Sequence, residues 1–161
     1  MELLPAVRRY LLSSNTVVSL VSDRVWKWDE DGSVEGTGQR AIVLNQGPGW
    51  AGPDPVQSSE FPTLQVDAIA DHDRGPGGEI DTRNGEDKAM GLIRAVIPLF
   101  RYPAMRGEWI GAFGSHAGLL VISSQLWAHP RFIRGADAHP PNAGETVRCR
   151  IVFALNVAPH G

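Results

Sequence analysis

From Val147 to Val157 the chain alternates without a break. Val147, Cys149, Ile151, Phe153, Leu155 and Val157 face one way, and Arg148, Arg150, Val152, Ala154 and Asn156 the other. Strict alternation over that length is the pattern of a strand with one face in a core, so a chain that carries it must build a sheet. A second clear strand lies at residues 61–71. There Leu64, Val66, Ala68 and Ala70 share a face opposite Thr63, Gln65 and Asp67. Apolar runs at 40–46 and 118–127 predict two more strands, and Val25 to Trp28, with Trp26 and Trp28 alternating, predicts a short one.

Two segments carry helical spacing instead. Leu4, Val7 and Leu11 line one face of residues 3–12, with Pro5 in the first turn, where its missing N–H costs nothing. Ala89, Leu92, Ile93, Val96 and Phe100 form the stripe of a helix from Gly85 to about Arg101, opened by a cap at Asn84 and interrupted by Pro98. Between the first helix and the first strand, Asn15 is placed to cap a short turn over residues 16–21. Strands joined by loops pair most easily as antiparallel neighbours. The expected fold is therefore α+β: a mostly antiparallel sheet of about four to five strands, two main helices on one face, and a long C-terminal β-hairpin. At 161 residues the chain suits one domain spanning 1–161.

Eighteen glycines and twelve prolines imply long connections, the longest at 47–60 and 128–145. The lone cysteine, Cys149, excludes an intrachain disulfide framework and makes a reducing compartment the simpler setting; on the inward face of its strand it reads as an inert buried thiol. The opening residues lack the basic lead and apolar run of a signal peptide. No apolar stretch approaches the roughly 20 residues that cross a bilayer, so no membrane partner is expected.

The net charge of −3 argues against a generally basic nucleic-acid binder, but it hides an asymmetry. Residues 1–87 hold 7 basic and 15 acidic side chains, whereas residues 88–161 hold 8 basic and 3 acidic. Either one sheet interleaves the halves and the charges solvate its rim, or each monomer bears one acidic and one basic surface, suited to head-to-tail packing in a ring.

Sequence features that would carry chemistry are sparse. Asp71-His72-Asp73 at a strand end is the strongest, since carboxylates and imidazole ligate divalent metals, and it defines one alternative function, a small metal-dependent hydrolase. No paired carboxylate or spaced histidine supports it nearby, and Asp137 with His139 is weaker. Gly36-Thr37-Gly38-Gln39-Arg40-Ala41 superficially fits a dinucleotide fingerprint, but it leads into a strand rather than a helix that could meet a pyrophosphate. Gly114-Ser115-His116 lacks the strand–turn–helix setting of a nucleophile elbow. No catalytic residue, metal site or cofactor is expected.

The tryptophans and arginines are more informative. Trp26, Trp28 and Trp127 fall on expected strands and read as core or sheet-face residues. Trp50 and Trp109 fall in glycine-rich loops, where a large ring either folds back on its own domain or anchors a neighbouring subunit or another partner. Arg131 and Arg134 in the 128–145 arm, and the outward Arg148 and Arg150, are the matching candidates for a partner-facing surface.

The layout resembles the tail terminator (tail completion) proteins of long-tailed bacteriophages. The carrying features are Leu4-Pro5-Ala6-Val7 through Leu12, then Val17-Val18-Ser19-Leu20-Val21 with Asp23-Arg24-Val25-Trp26, the Phe61-Pro62-Thr63-Leu64-Gln65-Val66 strand, the helix after Asp87, and the terminal hairpin. The resemblance covers nearly the whole chain and rests on no catalytic signature. It implies a structural virion subunit, not an enzyme, that assembles in the host cytoplasm and forms a ring with itself, usually a hexamer, at the tail–neck junction. Such a ring caps the tail tube protein, ends its polymerisation and meets a head-connector or stopper protein. DNA passes through the lumen without sequence recognition. Neck and head–tail connector proteins of the same virions share similar folds, which leaves a second position in the column open.

Overall fold

The two alternating segments become adjacent central strands. In a computed structural model, which describes residues 3–47, 61–101, 108–110, 119–133 and 146–159, the chain runs α1 (Leu3–Leu12), α2 (Asn15–Val21), β1 (Val25–Lys27), β2 (Arg40–Gly47), β3 (Thr63–Asp71), β4 (Asp73–Arg74) and β5 (Ile80–Thr82). It continues through α3 (Gly85–Val96), a 3₁₀ turn over Ile97–Phe100, β6 (Glu108–Ile110), β7 (Leu119–Ile133) and β8 (Thr146–Pro159). Six strands form one sheet in the order β1-β2-β3-β8-β7-β6, and β4-β5 is a separate two-stranded ribbon. The α+β class with a mostly antiparallel sheet and a long terminal β7–β8 hairpin is the architecture observed.

The core forms where the alternating apolar sets of β3 and β8 meet the helices. Val66 pairs with Ile151 and Ala68 with Cys149, which puts both strands' apolar residues on one face. Leu3, Ala6, Val7 and Leu11 of α1, Val17 and Val21 of α2, and Leu92, Ile93 and Val96 of α3 join Leu64, Val66, Ile151, Phe153 and Leu155 in one buried cluster. Each large side chain withdrawn from water contributes about 1.5–3 kcal/mol, which offsets the chain entropy lost in ordering these elements. Phe100 stacks on Phe153 with ring centroids 5.1 Å apart and meets Tyr10 edge-on at 5.6 Å. The Tyr10 hydroxyl donates to the Leu99 carbonyl oxygen at 2.8 Å, tying α1 to the turn that follows α3. Pro98, which cannot donate, sits in that turn; α3 ends at Val96 and the chain tightens to 3₁₀ geometry.

Several local expectations are corrected. Ser14, not Asn15, caps α2: its hydroxyl accepts from the Val17 amide at 3.4 Å. Residues 28–39 return the chain so that β1 lies parallel to β2, the one parallel pairing described in the sheet. Glu108–Ile110, expected as loop, is a sixth strand against Leu119–Val121. The segment 71–83, also expected as loop, contains the β4–β5 ribbon. The strand expected to stop at Trp127 continues as β7 to Ile133. Pro130 is tolerated there because the register slips between Leu126 and Ala128 and again before Arg131, and no described strand lies on β7's other side beyond Val121. Trp28 falls one residue past β1 and is 64% exposed, and Trp127 at the slip is also exposed, so neither belongs to the core.

Because α1 packs against β1, β2 and β6, the sheet must curl. Five strand spacings laid flat would separate the edge strands by about 24 Å, too far for one helix to touch both.

Candidate subunit interface

On the side of the sheet away from the helices, register decides which charges meet. Asp67 of β3 stands directly opposite Arg150 of β8, so both side chains leave the same face. The Asp67 carboxylate is 2% exposed and accepts from Arg150 Nε at 2.8 Å and Nη2 at 3.1 Å, a bidentate pair. Arg148 Nη1 approaches the same carboxylate at 3.7 Å. Across the hairpin Arg131 of β7 pairs with Arg150, and Ile133 with Arg148, so an exposed third guanidinium joins this face. Two arginines hold the one carboxylate, and Arg131 paired with Arg150 adds to a positive surplus at the β7–β8 half of the sheet.

The strand order keeps the chain's two halves on separate sides of the sheet. β1, β2 and β3 come from the acidic half, β8, β7 and β6 from the basic half, and the seam is the β3–β8 pairing that carries Asp67 and Arg150. At the β1 edge, exposed Trp28 leads into Asp29, Glu30 and Asp31, with Glu30 accepting from the Lys27 amide at 3.1 Å. Arg8, Arg9 and Lys27 line a common pocket with Glu30, so the exposed Asp29 and Asp31 stand beside basic groups of the same half.

The Asp71-His72-Asp73 triplet has a different fate, because each of its side chains is spent on local structure. Asp71 accepts from Arg74 Nε at 3.0 Å and Nη2 at 2.9 Å, from the Gly38 amide at 2.9 Å, and from the His72 amide at 3.0 Å. Burial alone would raise the Asp71 carboxyl, but the Arg74 hydrogen bonds, the Gly38 and His72 amides and the Arg74 charge together hold it below its ordinary value. His72 Nδ1 accepts from the Gly85 amide at 2.7 Å, taking a donor that α3 leaves unpaired at its start. Asn84, expected to cap α3, instead accepts from the Asp73 amide at 3.0 Å and donates to the Asp73 carboxylate at 2.6 Å, with no side-chain bond to the helix. Lys88 of α3 bonds Asp73 at 3.1 Å and the Gly38 carbonyl oxygen. The Lys88 hydrogen bond, then the one from Asn84, lower the Asp73 carboxyl.

Two glycines make that junction possible. Gly38 has φ +69°, a conformation that side-chain-bearing residues rarely adopt, and its amide and carbonyl both serve the junction. A Cβ on Gly85 would lie 2.9 Å from the His72 ring. The Gly36–Ala41 segment therefore acts as a tether ahead of β2. Among the described residues no group of three or more His, Cys, Asp or Glu is arranged to hold a metal ion.

Of the residues singled out from the sequence, Arg131, Arg148 and Arg150 come together on the open face. Trp109 lies apart from them on β6, paired with Leu120. Trp50 and Arg134, most of the 47–60 connection and most of the 128–145 arm fall outside the described residues. Asp67 was missed as the organiser of the arginines, because a cross-strand pair is visible only once the register is known. Cys149 is buried against Met90 Sδ at 3.6 Å, and burial first, then the Asp67 charge, pushes its thiol up. Among the described residues no helix is long and apolar enough to cross a membrane.

The class defined so far is an α+β domain with a mostly antiparallel sheet, helices packed on one face and arginines gathered on the other. No family model matches the sequence, and no curated protein matches it. A solved structure described as "Virion of native gene transfer agent (GTA) particle" contains a chain of the same fold. The two superpose with a TM-score of 0.59 over 97% of this chain and 94% of that chain, at 17% sequence identity.

Proposed function

We propose that this chain is a structural protein of a phage-like virion, one tail-terminator-like domain over residues 1–161. In this reading it forms a ring, a hexamer, that caps the tail tube, ends its polymerisation and joins the tail to the head connector. The observation that carries this is the near end-to-end fold likeness to a chain of a gene transfer agent virion. Charge supports the ring: exposed Asp29 and Asp31 after β1 and exposed Arg131 on the β7–β8 face complement one another when identical subunits pack head to tail and the cycle closes. In this assignment Arg131, Arg148 and Arg150, with Arg134, Trp50 and Trp109, face neighbouring subunits or the tube and connector proteins. DNA passes through the lumen, and the mild overall negative charge avoids the phosphate attraction that would retard it.

Light scattering and negative-stain imaging of the purified protein, alone and with tail tubes, test the reading. Rings of uniform subunit number that bind tube ends and stop their growth are expected. A monomer that leaves tube length unchanged at high concentration overturns it. The metal-dependent hydrolase alternative gains nothing from the geometry, since the Asp71, His72 and Asp73 side chains already hold the β3–β4–α3 junction together.

A further inference from the structure

On the helix side, beside β7, the core comes close to the surface: Phe100 and Phe153 are buried, and Leu126 next to them is exposed. A cavity of about 240 Å³ lies between the 3₁₀ turn and β7, walled by Ile97, Phe100, Leu126 and Phe153, with Arg101 at its rim. Leu126 pairs with inward-facing Phe153 yet is 42% exposed, so an apolar wall of this cavity meets water. The space is below the roughly 300 Å³ at which small-molecule sites begin, and suits a single large side chain.

The same molecule carries an aromatic side chain without a core to enter. Trp28 is 64% exposed at the end of β1, the opposite edge of the sheet from β7 and β6. Asp29 and Asp31, both exposed, follow it, and Arg101 at the cavity rim is exposed as well. We propose that Trp28 of one copy inserts into the Ile97–Phe100–Leu126–Phe153 cavity of the next, with Asp29 or Asp31 against Arg101. The contact rests on the ring reading above and specifies which surfaces meet. Because it joins unlike patches it is heterologous, so it propagates beyond a dimer and gives a ring where the rotation between copies closes. A buried tryptophan ringed by a charge pair has the composition of an interface hot spot.

Disulfide trapping tests it in a Cys149→Ser background. Trp28→Cys with Leu126→Cys is expected to give a ladder of oxidised multimers up to the full ring, whereas either cysteine alone gives none. Trp28→Ala and Leu126→Glu, both at exposed positions, are expected to keep the wild-type circular dichroism and to weaken assembly by about tenfold or more, near 1.4 kcal/mol. Arg101→Glu weakens assembly likewise, and adding Asp29→Arg with Asp31→Arg restores it. Rings of unchanged stability in Trp28→Ala, with no ladder from the double cysteine, overturn this contact, leave the ring reading standing and assign the cavity to another virion component. A wild-type protein that forms no ring, alone or on tubes, overturns both.

Discussion

Asp67 and Asp71 stand on the same strand, both carboxylates nearly out of water and both gripped by arginine, yet they serve different ends. Asp71 meets one arginine three residues on, the adjacent His72 amide and the Gly38 amide from the segment before β2, and the site closes on itself. Asp67 meets Arg150 and Arg148 from a distant strand, with exposed Arg131 beside them, so the carboxylate is outnumbered. A matched buried pair builds a joint, whereas an unmatched cluster leaves a field that reaches beyond the molecule. The chemistry of one aspartate on an arginine is the same in both; the count of partners separates a structural role from a docking one.

Substitutions at the two sites sharpen that contrast. Asp71→Ala has the largest expected effect on stability, about 3 kcal/mol by chemical denaturation, because it strands Arg74 and the Gly38 amide. Asp67→Asn costs less, about 1–2 kcal/mol, since the freed arginines reach water; it should strengthen the salt dependence of assembly by adding to the positive surplus. His72→Ala removes the acceptor at the start of α3 and is expected to cost about 1 kcal/mol, read as earlier hydrogen exchange in the first turn of that helix. Arg131→Glu should change stability by under about 0.5 kcal/mol yet abolish or invert the salt dependence of ring formation. If Arg131→Glu assembled as wild type, the open face would be no more a docking surface than the Asp71 joint.

Acid separates the sites further. The Asp71 carboxyl lies below its unfolded value of 3.8 in the folded chain, so its contribution is fully present above that value and is lost as pH falls through the folded value. Asp71→Asn is therefore expected to flatten the stability profile in the acid range below about pH 4, measured by denaturant titration at successive pH values.

Much of the architecture was legible because it is written in local periodicity. The β8 alternation and the Leu64–Ala70 alternation name their inward residues, and all of these but partly buried Val147 are buried, though outward Thr63, Asp67, Ala154 and Asn156 are buried as well. Pro98 marked the end of regular α-helix. What stayed illegible depended on partners distant in sequence. Asp67 looks like a solvated strand residue until β3 is laid beside β8. His72 looks like a ligand until α3 places the Gly85 amide 2.7 Å away. Pro130 looks like a strand breaker until the slipped edge of β7 is seen to accept it.

By itself the sequence determined an α+β chain with two alternating strands, one amphipathic helix before the first of them and one between them, and opposite charge in its two halves. Those properties follow from side-chain spacing and composition, which need no third dimension. Only the tertiary structure decided that the halves occupy opposite sides of one sheet, that Asp67 collects two arginines while Asp71 collects one, and that Trp28 and the Leu126 cavity sit on different edges. Register and strand order set those outcomes, and both are fixed by packing between segments that the linear chain keeps far apart.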